Sequence, residues 1–162
     1  MNEIGSHMRG LVQKYNHRKY WKYREKVVGK NNKYPLLFKV FWLYYIKKCD
    51  AFNGATMGTH IGYGAEFKTR PNLPHGLNGI IVSHNAVIGE NCTIFHQVTI
   101  GEGKGGSPII GKNCFISAGA KITGKITIGD NVRIGTNCVV VEDVPDNCTV
   151  VMNKPRILRR AL

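Results

Sequence analysis

The chain has 162 residues, 43% of them hydrophobic, and a formal net charge of +13, which suits one domain with an appendage. No apolar run is long enough to span a bilayer and no signal peptide precedes the first charged segment, so neither a spanning helix nor secretion is expected. The charge is uneven: residues 9–50 hold twelve Lys/Arg against Glu25 and Asp50, a net +10, while 51–162 carry +4.

In chain order, "GSHM" at 5–8 matches a cleavage scar left by an expression vector. Residues 1–7 are therefore set aside, with Met8 as the expected native start. Residues 8–50 form a basic segment interleaved with aromatics, as in "HRKYWKYREK" and "YPLLFKVFWLYYIKK". That combination can mark nucleic-acid binding, but no groove-reading motif is present and 35–46 is too apolar for a solvated arm. No nucleic-acid partner is expected. The pattern predicts a helix over 9–28 ending near Gly29, and a second over 35–48 with Pro35 in its first turn. The favoured reading is helices that cap the next domain and turn a basic face to solvent. The other is an amphipathic helix in peripheral contact with an anionic membrane.

Residues 51–146 carry the main signal. Aliphatic side chains recur every sixth position at Val82, Ile88, Ile94 and Ile100, then at Ile110, Ile116, Ile122, Ile128, Ile134 and Val140. A second register four residues later holds small or apolar side chains such as Ala86, Cys92, Val98, Cys114, Ala120 and Cys138. Turn formers lie between, as in "IGEN", "IGDN" and "IGTN". A period of six fits neither a helix nor an isolated strand, but it fits one flat face of a β-solenoid whose stacked coils share a columnar core. Fainter hexads begin at Ala55, Ile61, Phe67 and Leu73. The period slips twice: three residues are inserted between Leu73 and Val82, around "HGLNG", and four between Ile100 and Ile110, within "EGKGGSP". A solenoid needs neither insert, and loops on rigid scaffolds are where function concentrates. Cys92, Cys114 and Cys138 fall at inward positions and read as small buried hydrophobes, consistent with a reduced, cytoplasmic setting. Residues 147–162 break the repeat and are expected to fold back as a terminal strand with a basic tail.

The segment from "HGLNGIIVSHNAVIGENCTIFHQVTIG" through "IIGKNCFISAGAKITGKITIGDNVRIGTNCVVVEDVPDNCTV" resembles the hexapeptide-repeat acyltransferases. Within them it is most similar to the serine acetyltransferase branch and its short relatives from surface-polysaccharide gene clusters. The resemblance spans roughly 55–157. It implies a mainly β fold, a left-handed parallel β-helix with three hexads per coil, as an exception to the right-handed crossover rule. It also implies a homotrimer with active sites between subunits, acetyl-CoA as co-substrate and no required metal.

With three hexads per coil, Leu73, Ile94, Ile116 and Ile134 share one face. Two residues beyond each lie His75, His96, Ala118 and Thr136, expected to stack at one corner at the spacing of neighbouring strands, about 4.8 Å. The resemblance implies that His75 is the catalytic base, taking a proton from the acceptor hydroxyl as it attacks the thioester and later protonating the departing CoA thiolate. Backbone N–H groups at the corner would hold the oxyanion, and no cysteine is needed as nucleophile. It further implies that Ala118 and Thr136, with Gly119, Lys121 and Val141, line the pantetheine arm, and that Arg156 and Arg159 meet the nucleotide phosphates. His96 stands where serine acetyltransferases often have Gln and is assigned to positioning acceptor or thioester.

The departures shape the expected acceptor. His60 occupies the place of the Asp that orients the base, leaving Glu66 as the nearest acid in sequence. Pro74 replaces an acid before the base. The short "GEGKGGSP" lacks the Arg-His pair that helps hold serine. His84 and Glu102, eighteen residues apart, should stack at a different corner as a possible ion pair. With the fixed charges for a free amino acid missing, the favoured acceptor is a sugar of a capsule, exopolysaccharide or lipopolysaccharide precursor, small or lipid-linked. The basic N-terminus would then hold the enzyme at the inner face of the membrane. The alternative is serine O-acetylation in cysteine biosynthesis. Remoter readings are a trimeric zinc hydratase on the same helix, whose ligand spacing the six histidines do not match, and a non-catalytic scaffold.

Overall fold

Among the described residues, two helices, a short hairpin and a stack of parallel coils follow one another along the chain. The computed structural model describes residues 12, 14–29, 33–154, 156 and 158; the expected vector-derived residues 1–7 lie outside these. Helix α1 spans His17–Val28 and α2 spans Leu36–Phe52. Asn16 caps α1, its side chain accepting from the Lys19 N–H at 2.9 Å; of the expected helical stretch before it, Val12 is helical, while residues 9–11 and 13 lie outside the described residues. Pro35 sits just outside α2, with extended ψ, rather than within its first turn. α2 continues past the expected boundary at 50 and stops at Asn53 and Gly54, the latter with φ +57°.

The next stretch departs from the expected hexads. β1 (Thr59–His60) and β2 (Tyr63–Gly64) form an antiparallel hairpin rather than a rung of the solenoid. Gly58, Gly62 and Gly64 all take positive φ, and a Cβ on Gly64 would fall 2.3 Å from the Gly58 carbonyl oxygen. Only glycine permits this turn.

From there the chain winds through three parallel four-stranded sheets of a left-handed β-helix of about five turns. One sheet holds β3 (Glu66–Phe67), β5 (Val87–Ile88), β8 (Ile109–Ile110) and β11 (Thr127–Ile128). The second holds β4 (Ile81–Val82), β7 (Thr99–Gly101), β10 (Lys121–Thr123) and β13 (Val139–Val140). The third holds β6 (Thr93–Ile94), β9 (Phe115–Ile116), β12 (Arg133–Ile134) and β14 (Thr149–Val150). The hexad aliphatics point inward as expected: Ile88, Ile94, Ile100, Ile116, Ile122, Ile128 and Ile134 are fully buried. Each contributes about 1.5–3 kcal/mol by leaving water. Cys92, Cys114 and Cys138 are buried free thiols in the same core. β14 does not fold back. It pairs parallel with β12 in register Arg133↔Thr149, so the tail prolongs the solenoid by one shortened coil.

Asparagine makes the turns at one corner. Asn91, Asn113, Asn131 and Asn147 have φ between +55° and +59°, and their amides form a ladder at 3.5, 3.1 and 3.0 Å from coil to coil. Asn tolerates left-handed backbone better than most residues and supplies a side chain that bonds its counterpart above.

α1 caps the open N-terminal end of the core, the favoured sequence reading. Trp21 packs edge-on against Phe67, ring centroids 4.9 Å apart. Arg24 is buried and donates to Thr59 Oγ1 at 3.1 Å, the Met57 carbonyl at 2.9 Å and the Ala65 carbonyl at 2.6 Å. Tyr20 donates to the buried Asp50 carboxylate at 2.7 Å and so ties α1 to α2. Arg24→Met would leave two buried carbonyls without a donor. We expect a loss of about 3–5 kcal/mol in urea-induced unfolding, since several charge-assisted hydrogen bonds go at once.

Burial raises the Asp50 carboxyl to about 6, partly opposed by the Tyr20 hydrogen bond. A folded pKa above the unfolded value of about 3.9 means the native state binds the extra proton in that window. Stability therefore falls as pH rises from about 4 to 6, and the cost is complete above it. Asp50→Asn should flatten this slope in thermal melts recorded across the same range.

Candidate active site

The three-residue insert after Leu73 shapes the corner that carries His75 and His96. Beyond it the coils return to register. The Gln97 N–H donates to the Asn78 carbonyl at 2.9 Å, Gly119 N–H to the His96 carbonyl at 3.1 Å, and Asn137 N–H to the Ala118 carbonyl at 3.0 Å. The backbone column is thus Asn78, His96, Ala118 and Thr136. On the near side of the insert the bridge Asn72↔Thr93 has the same separation as His75 and His96, 21 residues, so His75 stands level with His96 as even spacing suggested. Asn78 takes that level only after the insert, and His75 meets His96 through its side chain. The two rings stand 4.6 Å apart, centroid to centroid, with Nδ1 to Nδ1 at 2.6 Å. One Nδ1 must donate and the other accept, so the pair is held in complementary tautomers. Phe95 meets the His75 ring edge-on at 5.4 Å and itself packs on Phe115. These outward aromatics were not among the expected site residues. Their only sequence signal is the recurrence of Phe one coil apart.

His75 is exposed and His96 half-buried, so the pair faces the outside of the solenoid. Above it, Ala118 and Thr136 place short side chains along the corner. Gly119 has φ +73°, and a Cβ there would lie 2.0 Å from Asn137 Oδ1. Lys121 donates to the Gln97 carbonyl at 2.7 Å, which holds the same turn from the neighbouring sheet. The amides of Gln97, Gly119 and Asn137 are spent on the inter-coil ladder, so an oxyanion here must find another donor. Val141 is exposed beyond β13, and Arg156 is exposed on the tail. Arg159 lies outside the described residues.

The candidate orienting groups sit elsewhere. Glu66 is on β3, in a different sheet, and pairs with Lys68. His60, in the hairpin, stacks flat on Tyr63 at 4.7 Å and meets His84 edge-on at 5.7 Å. Burial, then the nearby charges of Lys47 and His84, hold the His60 pKa below its usual value. His60 and His84, with Thr56, Gly58, Ser83 and Glu102, line a cleft of about 310 Å³ at a second corner. His84 and Glu102 meet there without pairing. The Glu102 carboxylate accepts from Ser83 Oγ at 3.4 Å and Asn85 Nδ2 at 3.5 Å. Among the described residues no three His, Cys, Asp or Glu side chains converge as a metal site.

A family model for the bacterial transferase hexapeptide (six repeats) matches residues 107–142. The serine acetyltransferase of Synechococcus elongatus is 39% identical over 108 residues, which is 64% of this chain and 44% of that protein. The crystal structure of Neisseria gonorrhoeae serine acetyltransferase in complex with serine superposes with a TM-score of 0.57 at 33% identity, over 89% of this chain and 54% of that one. The serine acetyltransferase of Brucella abortus strain S19 in complex with coenzyme A gives 0.62 at 28% identity, over 88% and 52%. The chain spans about half the length of the relatives it matches. These similarities overturn the expected sugar acceptor and its link to surface-polysaccharide synthesis. Pro74 before His75 and the short loop without an Arg-His pair are few positions beside a match of 39% identity over 108 residues.

Gly119→Ala tests the corner itself. Left-handed backbone and the clash with Asn137 should together cost about 1–3 kcal/mol, read as a lower urea midpoint, with loss of function exceeding the loss of fold.

Proposed function

The chain belongs to the hexapeptide-repeat transferases, and from that premise we propose that it is an acetyl-CoA-dependent O-acetyltransferase whose acceptor is L-serine. The observation that carries this reading is the His75–His96 pair on an open corner beneath a column of short side chains. Acetyl-CoA would lie along that column, its pantetheine arm against Ala118, Gly119, Thr136, Lys121 and Val141. The cations of the tail, Arg156 and Arg159, would meet its phosphates.

His75 takes the proton from the serine hydroxyl as that oxygen attacks the thioester carbonyl. A tetrahedral oxyanion forms and collapses, the C–S bond breaks, and His75 returns the proton to the thiolate. No covalent enzyme intermediate is required. In this reading His75 donates from Nδ1 to the Nδ1 of His96 across their 2.6 Å contact, which leaves Nε2 of His75 unprotonated as the working nitrogen. The role that a carboxylate would play in orienting the base thus falls to a second imidazole. The amides of Ala118 and Thr136, which stand outside the inter-coil ladder, are the candidate oxyanion donors. The working form is a homotrimer with sites between subunits, in the cytoplasm.

His75→Ala should lower the rate about 10²–10⁴-fold, the usual contribution of a positioned base, with KM for acetyl-CoA little changed. His96→Gln should retain more activity than His96→Ala, because an amide can still hold the His75 Nδ1. Thiol release from acetyl-CoA with L-serine as acceptor tests the whole reading: turnover is expected, and its absence across pH 6–9 would overturn it.

A further inference from the structure

The helical cap leaves one face of α2 uncovered. Its inner face is occupied: Trp42 stacks on Tyr23 at 5.9 Å and meets Tyr34 at 5.0 Å, and Tyr45 packs edge-on against Tyr23 at 5.3 Å. On the outer face Leu36, Leu37, Val40, Phe41 and Tyr44 are 65%, 78%, 49%, 65% and 66% exposed. Their spacing of one, three and four residues makes a continuous apolar strip over the first half of the helix. Exposed apolar side chains singly are ordinary; five large ones in one strip mark a contact surface.

Charge selects the occupant. Lys22 on α1, Lys33 just before α2, and Lys47 and Lys48 near the end of α2 are exposed. The only acids in residues 9–50 are both engaged: Glu25 is held by Arg70 at 2.7 and 2.8 Å, and Asp50 is buried against Tyr20. The cap is thus uniformly cationic at its surface. A second copy docking through this face would bring two like-charged caps together. An anionic lipid surface neutralises the lysines while its acyl boundary covers the strip. Among the described residues no helix is long and apolar enough to cross a membrane, and α2 has 17 residues, a length suited to lying in the interface.

We propose that α2 docks the protein peripherally on an anionic phospholipid membrane, with Leu37 and Phe41 inserted and the lysines of the cap on the headgroups. This depends on neither the acceptor nor the reaction. Co-sedimentation with vesicles of phosphatidylcholine, with and without phosphatidylglycerol, tests it. Binding to the mixed vesicles is expected at least tenfold tighter than to phosphatidylcholine alone and should weaken with salt. Leu37→Ser with Phe41→Ser should reduce it about tenfold or more, and Lys22→Glu with Lys48→Glu about 25-fold or more, as roughly fivefold per basic residue implies. These residues are exposed, so melting temperature and thiol release should be unchanged, which separates the outcome from that of the acetyltransferase assay. Three outcomes would overturn the proposal. They are absence of binding to anionic vesicles, binding indifferent to the serine substitutions, and a fall in oligomeric mass in those variants, which would assign the strip to a second copy.

Discussion

Each coil must hydrogen-bond to the next through a parallel ladder, and that single constraint governs the rest of the molecule. With strands of two or three residues, no strand is stable by itself; stability comes from stacking, which buries the aliphatic column and pairs the backbone at once. Register is enforced at the corners. There left-handed Asn and Gly residues turn the chain, and the Asn91–Asn113–Asn131–Asn147 amides tie one coil to the next. A change in length anywhere must be absorbed in a loop, because no coil can slip without losing both the column and the ladder. The inserts around His75 and Glu102 are such loops.

The two ends of the column pose the same problem of unpaired backbone and exposed core, and they are closed differently. At the C-terminal end a shortened coil brings β14 onto β12. At the N-terminal end α1 supplies Trp21 and the buried guanidinium of Arg24, which satisfies carbonyls that a further coil would otherwise have bonded. Burying that cation is tolerable because its donors reach the Thr59 hydroxyl and two carbonyls and because the Tyr20–Asp50 pair lies close by. The consequence for α2 is geometric. α1 lies against the solenoid and α2 lies on α1, so the outward face of α2 has nothing left in its own chain to cover it.

At the candidate active site the chain keeps the scaffold shared with serine acetyltransferases and alters its polar partners. His75 has the imidazole of His96 against it and Pro74 before it in sequence. His96, one coil above, meets His75 Nδ1 to Nδ1 at 2.6 Å, so the proton shared by the pair couples the tautomers of the two rings. His60 and Glu66, the two residues considered for orienting His75, are held elsewhere, one by Tyr63 and His84 and the other by Lys68.

How much of this was legible depended on whether a feature is periodic. The six-residue pattern determined the solenoid, its inward residues, the burial of the cysteines and the position of both inserts, because each follows from which side chains must face a shared core. Aromatic and basic clustering likewise identified the cap. Periodicity could not show that the Ile61 hexad becomes a hairpin, since that turn depends on close backbone contacts at Gly58 and Gly64. Nor could it show that β14 continues the stack after a deletion of two residues. Counting brought His75 level with His96, the offset that the Asn72↔Thr93 bridge also has. It could not show that Asn78 takes the same level once the insert has looped out. What the tertiary structure alone decided was therefore how an irregular segment folds back on a regular one. The physical reason is that a repeat is a local property repeated, while the path of an insert is set by contacts between residues one coil or more apart.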